Sequence, residues 1–97
     1  MTDTNDTPAT PPRESLIEYP SDFPIKVMGK MQDNFAETIV QVVQQFDPEF
    51  HTGRMEMRPS SGGNYLGLTV VVRATSREQL DALYRALTSH PMVKVVL

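Results

Sequence analysis

The side chains best suited to proton transfer or metal ligation near neutral pH are His51 and His90. They lie far apart in sequence, on segments that read as loops. A metal site needs three or four convergent ligands, and no His, Asp and Glu cluster at ligand spacing supplies them. The chain has no Cys, which removes disulfides, thiolate nucleophiles and thiolate-held zinc or iron–sulfur centres. Ser, His and Asp are present without a nucleophile motif around any Ser. Asp47 and Glu49 flank Pro48 and read as a solvated pair at a helix end. Met55 and Met57 alternate with polar residues and read as core fillers. Ser60-Ser61-Gly62-Gly63-Asn64 has the composition of an anion-binding nest. It is no phosphate loop, because the Lys that should follow is missing and a strand pattern comes next. Hairpin geometry accounts for it. No catalytic residue, metal or cofactor is therefore expected.

What remains is charge. The 97 residues carry nine Lys+Arg and twelve Asp+Glu, a net charge of −3. That balance excludes a wholesale polyanion binder. Apolar runs such as Val70–Val72 fall far short of the ~20 residues of a membrane-spanning helix. The start, Met1-Thr2-Asp3-Thr4-Asn5-Asp6, is acidic with no apolar segment behind it. No secretory signal is expected, and the expected location is cytoplasmic.

The elements that position these charges follow from periodicity. Residues 1–17 mix Pro8, Pro11 and Pro12 with Thr2, Thr4, Thr7 and Thr10. Most of this stretch cannot bury enough apolar area to offset its ordering entropy, so it is predicted to be a disordered tail. It holds Asp3, Asp6 and Glu14 against Arg13, a net −2. Residues 18–97 read as one domain. Phe23, Ile25 and Val27 alternate with Pro24, Lys26 and Met28 as a strand that ends near Gly29–Met31. Phe35, Ile39, Val42, Val43 and Phe46 mark one face of a helix of about fourteen residues. Asp33 or Asn34 is its predicted N-cap, with Glu37 completing a capping box. Asp47-Pro48 ends it.

Gly53 to Pro59 alternates again, with Met55 and Met57 inward. After the Ser60–Asn64 turn, Tyr65 to Ala74 is the longest strand, with Leu66, Leu68, Val70, Val72 and Ala74 on the core face. Thr75 or Ser76 caps a second helix whose stripe is Leu80, Leu83, Tyr84 and Leu87. His90-Pro91 breaks it, and Met92–Leu97 closes the chain as a strand with Val93, Val95 and Leu97 inward. The order β-α-β-β-α-β with right-handed crossovers predicts an α+β, ferredoxin-like two-layer sandwich. Its sheet is antiparallel in order 4-1-3-2, with both helices on one face.

Three blocks also carry a resemblance: Tyr19-Pro20-Ser21-Asp22-Phe23-Pro24-Ile25-Lys26-Val27-Met28-Gly29, Arg58-Pro59-Ser60-Ser61-Gly62-Gly63-Asn64-Tyr65, and Met92-Val93-Lys94-Val95-Val96-Leu97. Residues 18–97 resemble the YbeD-like family of small bacterial proteins. The resemblance implies a ferredoxin-like fold similar to ACT regulatory domains and a cytoplasmic bacterial protein. It implies no activity and brings no catalytic residues. In ACT domains the junction between first strand and first helix binds effectors, which makes Gly29, Asp33 and Asn34 an alternative ligand loop.

With both helices on one side, the other sheet face is open. Alternation puts Lys26, Met28 and Lys30 there from the first strand, and Arg54, Glu56 and Arg58 from the second. The third strand adds Tyr65, Thr69, Val71 and Arg73, and the last adds Met92, Lys94 and Val96. Six of the nine basic residues would share this face, with Glu56 the only acid. The face admits three readings. It is a solvated surface whose Lys and Arg stems cover the apolar residues, a homodimer interface, or a site for an acidic protein or anionic small ligand. RNA-recognition modules of this fold stack bases on several sheet aromatics. Here Tyr65 stands alone, which argues against sequence-specific nucleic-acid binding. The chain is read as a non-enzymatic regulatory or interaction module, because a two-layer sandwich of this size offers little concavity for a catalytic pocket.

Overall fold

Ile25, Val27 and Gly29 are buried while Pro24, Lys26, Met28 and Lys30 are exposed, the period-two signature of a strand with one face covered. In the computed structural model, which describes residues 18–97, this strand is β1, Ser21–Lys30. It starts two residues before the predicted Phe23 and so brings Asp22 onto the sheet. Helix α1 spans Phe35–Gln44. Strand β2 is Met55–Pro59, β3 is Tyr65–Ala74, helix α2 is Arg77–Thr88 and β4 is Val93–Val96. The four strands form one antiparallel sheet in the order β2-β3-β1-β4, the predicted 4-1-3-2 arrangement. The fold is ferredoxin-like α+β. The predicted tail, residues 1–17, lies outside the described residues.

The core is built where the two helices meet the sheet. Ile25, Val27, Leu68, Val70 and Val72 from β1 and β3 pack with Phe35, Ile39 and Val43 of α1 and Leu80, Leu83 and Leu87 of α2. Phe50, on the loop after α1, is buried with them. No periodicity in its segment predicts it. Helix α2 is capped as expected: the Ser76 hydroxyl accepts from the Gln79 N–H at 3.0 Å. Helix α1 is shorter than the predicted fourteen residues. Asn34 occupies its N-cap position but makes no side-chain cap bond, so the expected capping box does not form.

Three inward assignments are corrected. Met57 lies directly opposite Leu68 on the helix side, yet it is 59% exposed. It stands on the edge strand, where no helix covers it. Val95 and Leu97 also face away from the core. The β1–β4 register pairs Val27 with Val96 and Met28 with Val95, then skips to pair Gly29 with Val93. Lys94 is thus the extra residue of a β-bulge, and the period of two is broken across it. Val96 and Met92, predicted to lie on the open face, pack against the core instead. Leu97 exchanges both backbone hydrogen bonds with Lys26, at 3.1 and 2.8 Å, and shares its side of the sheet.

Asp47 is corrected too. It is 5% exposed rather than solvated. Its Oδ2 accepts from the Arg73 N–H at 2.9 Å, and its Oδ1 from the Glu49 N–H at 3.3 Å. Pairing of β2 with β3 starts at Met55–Val70, so the outer edge of β3 beyond Val70 lacks a neighbouring strand. The Asp47 carboxylate supplies the acceptor that a strand would have given. Beside it, the Gln79 amide donates to Phe46 O at 2.8 Å and Arg73 O at 3.1 Å and accepts from the Thr75 N–H at 2.6 Å. These bonds tie the end of β3 to α2 and to the segment that follows α1.

Candidate functional site

Pairing registers convert the open face into rows of neighbours. One row reads Leu97, Lys26, Thr69, Glu56 across β4, β1, β3 and β2. The next reads Val95, Met28, Gly67, Arg58, and the one after it places Lys30 beside Tyr65. At the centre, Gly67 has no side chain. The result is a depression of about 470 Å³ lined by Lys26, Met28, Glu56, Arg58, Tyr65, Thr69, Val95 and Leu97. The sandwich is therefore less flat than its size suggested. The volume lies within the range of small-molecule pockets.

The depression has an apolar interior and a rim that carries two cations, Lys26 and Arg58, and one acid, Glu56. Met28 is 43%, Val95 45% and Leu97 72% exposed, and all three are on this side. Lys26 and Arg58 stand diagonally across Gly67, with Cα atoms about 12 Å apart from strand spacing and rise. Their long side chains can converge on one anionic group above the glycine. Neither has an acidic partner among the described residues, and the same holds for Lys30, Arg73 and Lys94. Arg54 differs. It lies in a turn of 3-10 helix, Thr52–Arg54, ahead of β2 rather than on it. Its guanidinium meets Asp22 Oδ1 at 2.6 Å. Asp22 is thus a second acid beside Glu56 on this face, and it neutralises Arg54.

Of the predicted interaction residues, the depression gathers Lys26, Arg58 and Tyr65. Lys30 and Arg73 extend the basic surface beyond it along β1 and β3. Arg54 is occupied by Asp22, and Lys94 stands exposed at the bulge. Sequence alternation missed Val95 and Leu97 as walls, because it could not register the bulge. It attached no role to Gly67.

The alternative ligand loop is not an open cleft. Gly29 lies within β1 and is buried. A Cβ built on it would collide with Met92 O and approach the Phe35 ring at 2.7 Å. The first aromatic residue of α1 already fills the junction, and Asp33 and Asn34 sit exposed in the turn above it. The Ser60–Asn64 segment is a closed hairpin turn. Ser60 N donates to Tyr65 O at 2.9 Å, Gly63 N to Ser60 O at 2.9 Å, and Tyr65 N to Ser60 Oγ at 3.1 Å. Gly63 takes a φ of 77°, which a glycine adopts without strain. His51 and His90 each accept a backbone N–H within their own loops, from Gly53 and Met92. No three His, Asp or Glu side chains gather at metal-ligand spacing among the described residues. No helix there is long and apolar enough to cross a membrane.

The family model described as "Protein of unknown function (DUF493)" matches residues 14–97. A UPF0250 protein of Ralstonia nicotianae is 95% identical over 97 residues, covering 100% of each chain. A UPF0250 protein of Bordetella pertussis is 72% identical over 87 residues, 90% of this chain and 96% of that one. Among solved structures, protein HP0495 from H. pylori superimposes with a TM-score of 0.71 at 14% identity, over 94% of this chain and 98% of that chain. The ACT domain from GTP pyrophosphokinase of Chlorobium tepidum gives a TM-score of 0.59 at 15% identity, over 78% and 84%. At these identities the structural likenesses establish the fold, and the fold is ACT-like.

Proposed function

This chain belongs to the DUF493 family of small bacterial proteins, and we propose that it acts there as a non-enzymatic regulatory or interaction module whose open sheet face receives an acidic protein partner. The observation that carries the reading is the apolar depression over Gly67 with cations on its rim that no acid of the described domain neutralises. Apolar centre and polar rim is the anatomy of a protein interface. Exposed like charges whose Cα atoms stand about 12 Å apart lie beyond the Debye length of ~8–10 Å and repel only weakly at ordinary salt, so the patch does not oppose folding without a partner. An acidic partner gains association rate and specificity from them. The ACT-like fold supports a regulatory role by analogy of architecture.

The test is affinity purification with in-cell crosslinking. Wild type is compared with a double reversal, Arg58→Glu with Arg73→Glu, and with a control reversal on the helical layer, Arg85→Glu. An acidic protein crosslinked to β1–β4 residues should be retained by wild type and control, released by moderate salt, and lost from the double reversal. Retention by the double reversal would reduce the face to a solvated surface.

A further inference from the structure

Two glycines occupy strand positions in this sheet, and the fold requires one of them. Gly29 is forced, because Met92 O and the Phe35 ring leave no room for a Cβ. Gly67 is not. Its φ lies outside the positive range that excludes side chains, and a Cβ there would meet nothing nearer than Arg58 O at 3.5 Å, an ordinary contact. A glycine inside a strand weakens it and often marks a bulge, a bend or a close approach to the backbone, and the registers on both sides of Gly67 run through it without a bulge. On β3, between Met28 and Arg58, the only thing its missing side chain provides is space above the open face.

We infer that Gly67 keeps open a pocket for an apolar side chain carried by an extended acidic segment of a partner protein, whose flanking carboxylates meet Lys26 and Arg58. This rests on the open face being the working surface and adds the chemistry of its occupant. Met28, Val95 and Leu97 give the pocket apolar walls. The occupant is longer than the pocket because cations with no acidic partner among the described residues run past it. Lys30, opposite Tyr65, and Arg73, opposite Asp22, are separated along β3 by about 27 Å at strand rise. A small anion held over Gly67 would use Lys26 and Arg58 and leave Lys30 and Arg73 idle. A second copy docked face to face would set these same cations against one another, with Glu56 the one acid of the face left to meet them, since Asp22 is engaged by Arg54. A single-stranded nucleic acid would find one aromatic, Tyr65, on which to stack.

The experiment uses fluorescence anisotropy with three labelled probes: an octapeptide of Glu with one central Leu (the Glu–Leu peptide), in which the Glu residues two positions away share the face of the Leu, an all-Glu octapeptide, and a ten-nucleotide oligothymidine. The full chain should bind the Glu–Leu peptide at least ten-fold more tightly than the all-Glu peptide. Gly67→Val should lose that binding ten-fold or more while melting at or above the wild-type temperature, since a β-branched residue suits a strand. Gly67→Ala, the smallest side chain, guards against a misfolded valine variant and should show a partial loss with the fold intact. Arg58→Glu should weaken both peptides. Equal binding of the two peptides, with Gly67→Val indistinguishable from wild type, would overturn the pocket while leaving the acidic-partner reading standing. Binding of the oligothymidine alone would overturn both. No binding of the Glu–Leu peptide by wild type would overturn the inference outright.

Discussion

Replacing Asp47 by Ala tests whether one buried carboxylate stands in for a missing strand. Asp47 is nearly enclosed, and its stronger contact is the Arg73 N–H at 2.9 Å. The Glu49 N–H at 3.3 Å is the weaker one. A hydrogen bond to a charged acceptor contributes roughly 1.5–3 kcal/mol, and an orphaned buried donor costs roughly 1–3 kcal/mol. The two descriptions overlap, so the expected loss is about 2–3 kcal/mol. For a domain of this size that lowers the melting temperature by about 10–20 °C. Asp47→Asn keeps one carbonyl oxygen for the Arg73 N–H and should lose about half as much. Urea denaturation measures the energy, and amide hydrogen exchange localises it. The Arg73 amide should lose protection in Asp47→Ala, while Val70 and Val72, whose pairing with β1 is untouched, keep theirs relative to global stability. A loss below about 0.5 kcal/mol, the scatter of ordinary surface changes, with Arg73 protection unchanged, would refute the assignment.

Leu68→Ala should cost ~2–5 kcal/mol in urea denaturation, because a 1% exposed side chain leaves a cavity under both helices. Gly29→Ala should be still more disruptive, giving little folded protein by circular dichroism, because the new Cβ meets a backbone oxygen and a core ring. By contrast, Arg54→Ala should shift unfolding by less than ~1 kcal/mol, since its Asp22 partner is 61% exposed and surface ion pairs contribute little.

Most of the fold was legible because helix and strand periods are imposed by which face meets the core. Ile25 and Val27, Leu66 to Ala74, and Leu80, Leu83 and Leu87 all fall where their spacing put them. What escaped was set by contacts distant in sequence. Phe50 is drawn inward from a loop that has no period. Met57 keeps the alternation of a buried strand, but its cover depends on where a helix ends. Asp47 looks like a solvated helix-end acid until β3, twenty-six residues on, presents an unpaired N–H. The basic face was visible because alternation alone separates Lys26, Lys30, Arg58 and Arg73 from the core. Its hollow was not, since a glycine in a strand pattern carries no sign of whether crowding or vacancy requires it. Only the space around Gly29 and Gly67 tells the two apart.

The bulge at Lys94 makes the wall of the hollow a matter of reading frame. Downstream of one inserted residue, Val95 and Leu97 are turned out and Val96 is turned in. All three are aliphatic, so either phase would leave a hydrophobic residue for the core. Exchanging one aliphatic residue for another in β4 therefore alters the wall by degrees. Straightening the strand with Lys94 kept would invert it: Lys94 would face Met28, Val95 would face Val27 and Val96 would face Lys26, withdrawing Val95 and Leu97 from the open face and presenting Val96. Removing Lys94 would instead leave Val95 and Leu97 facing out, so the wall depends on how that one residue is accommodated rather than on the aliphatic composition around it.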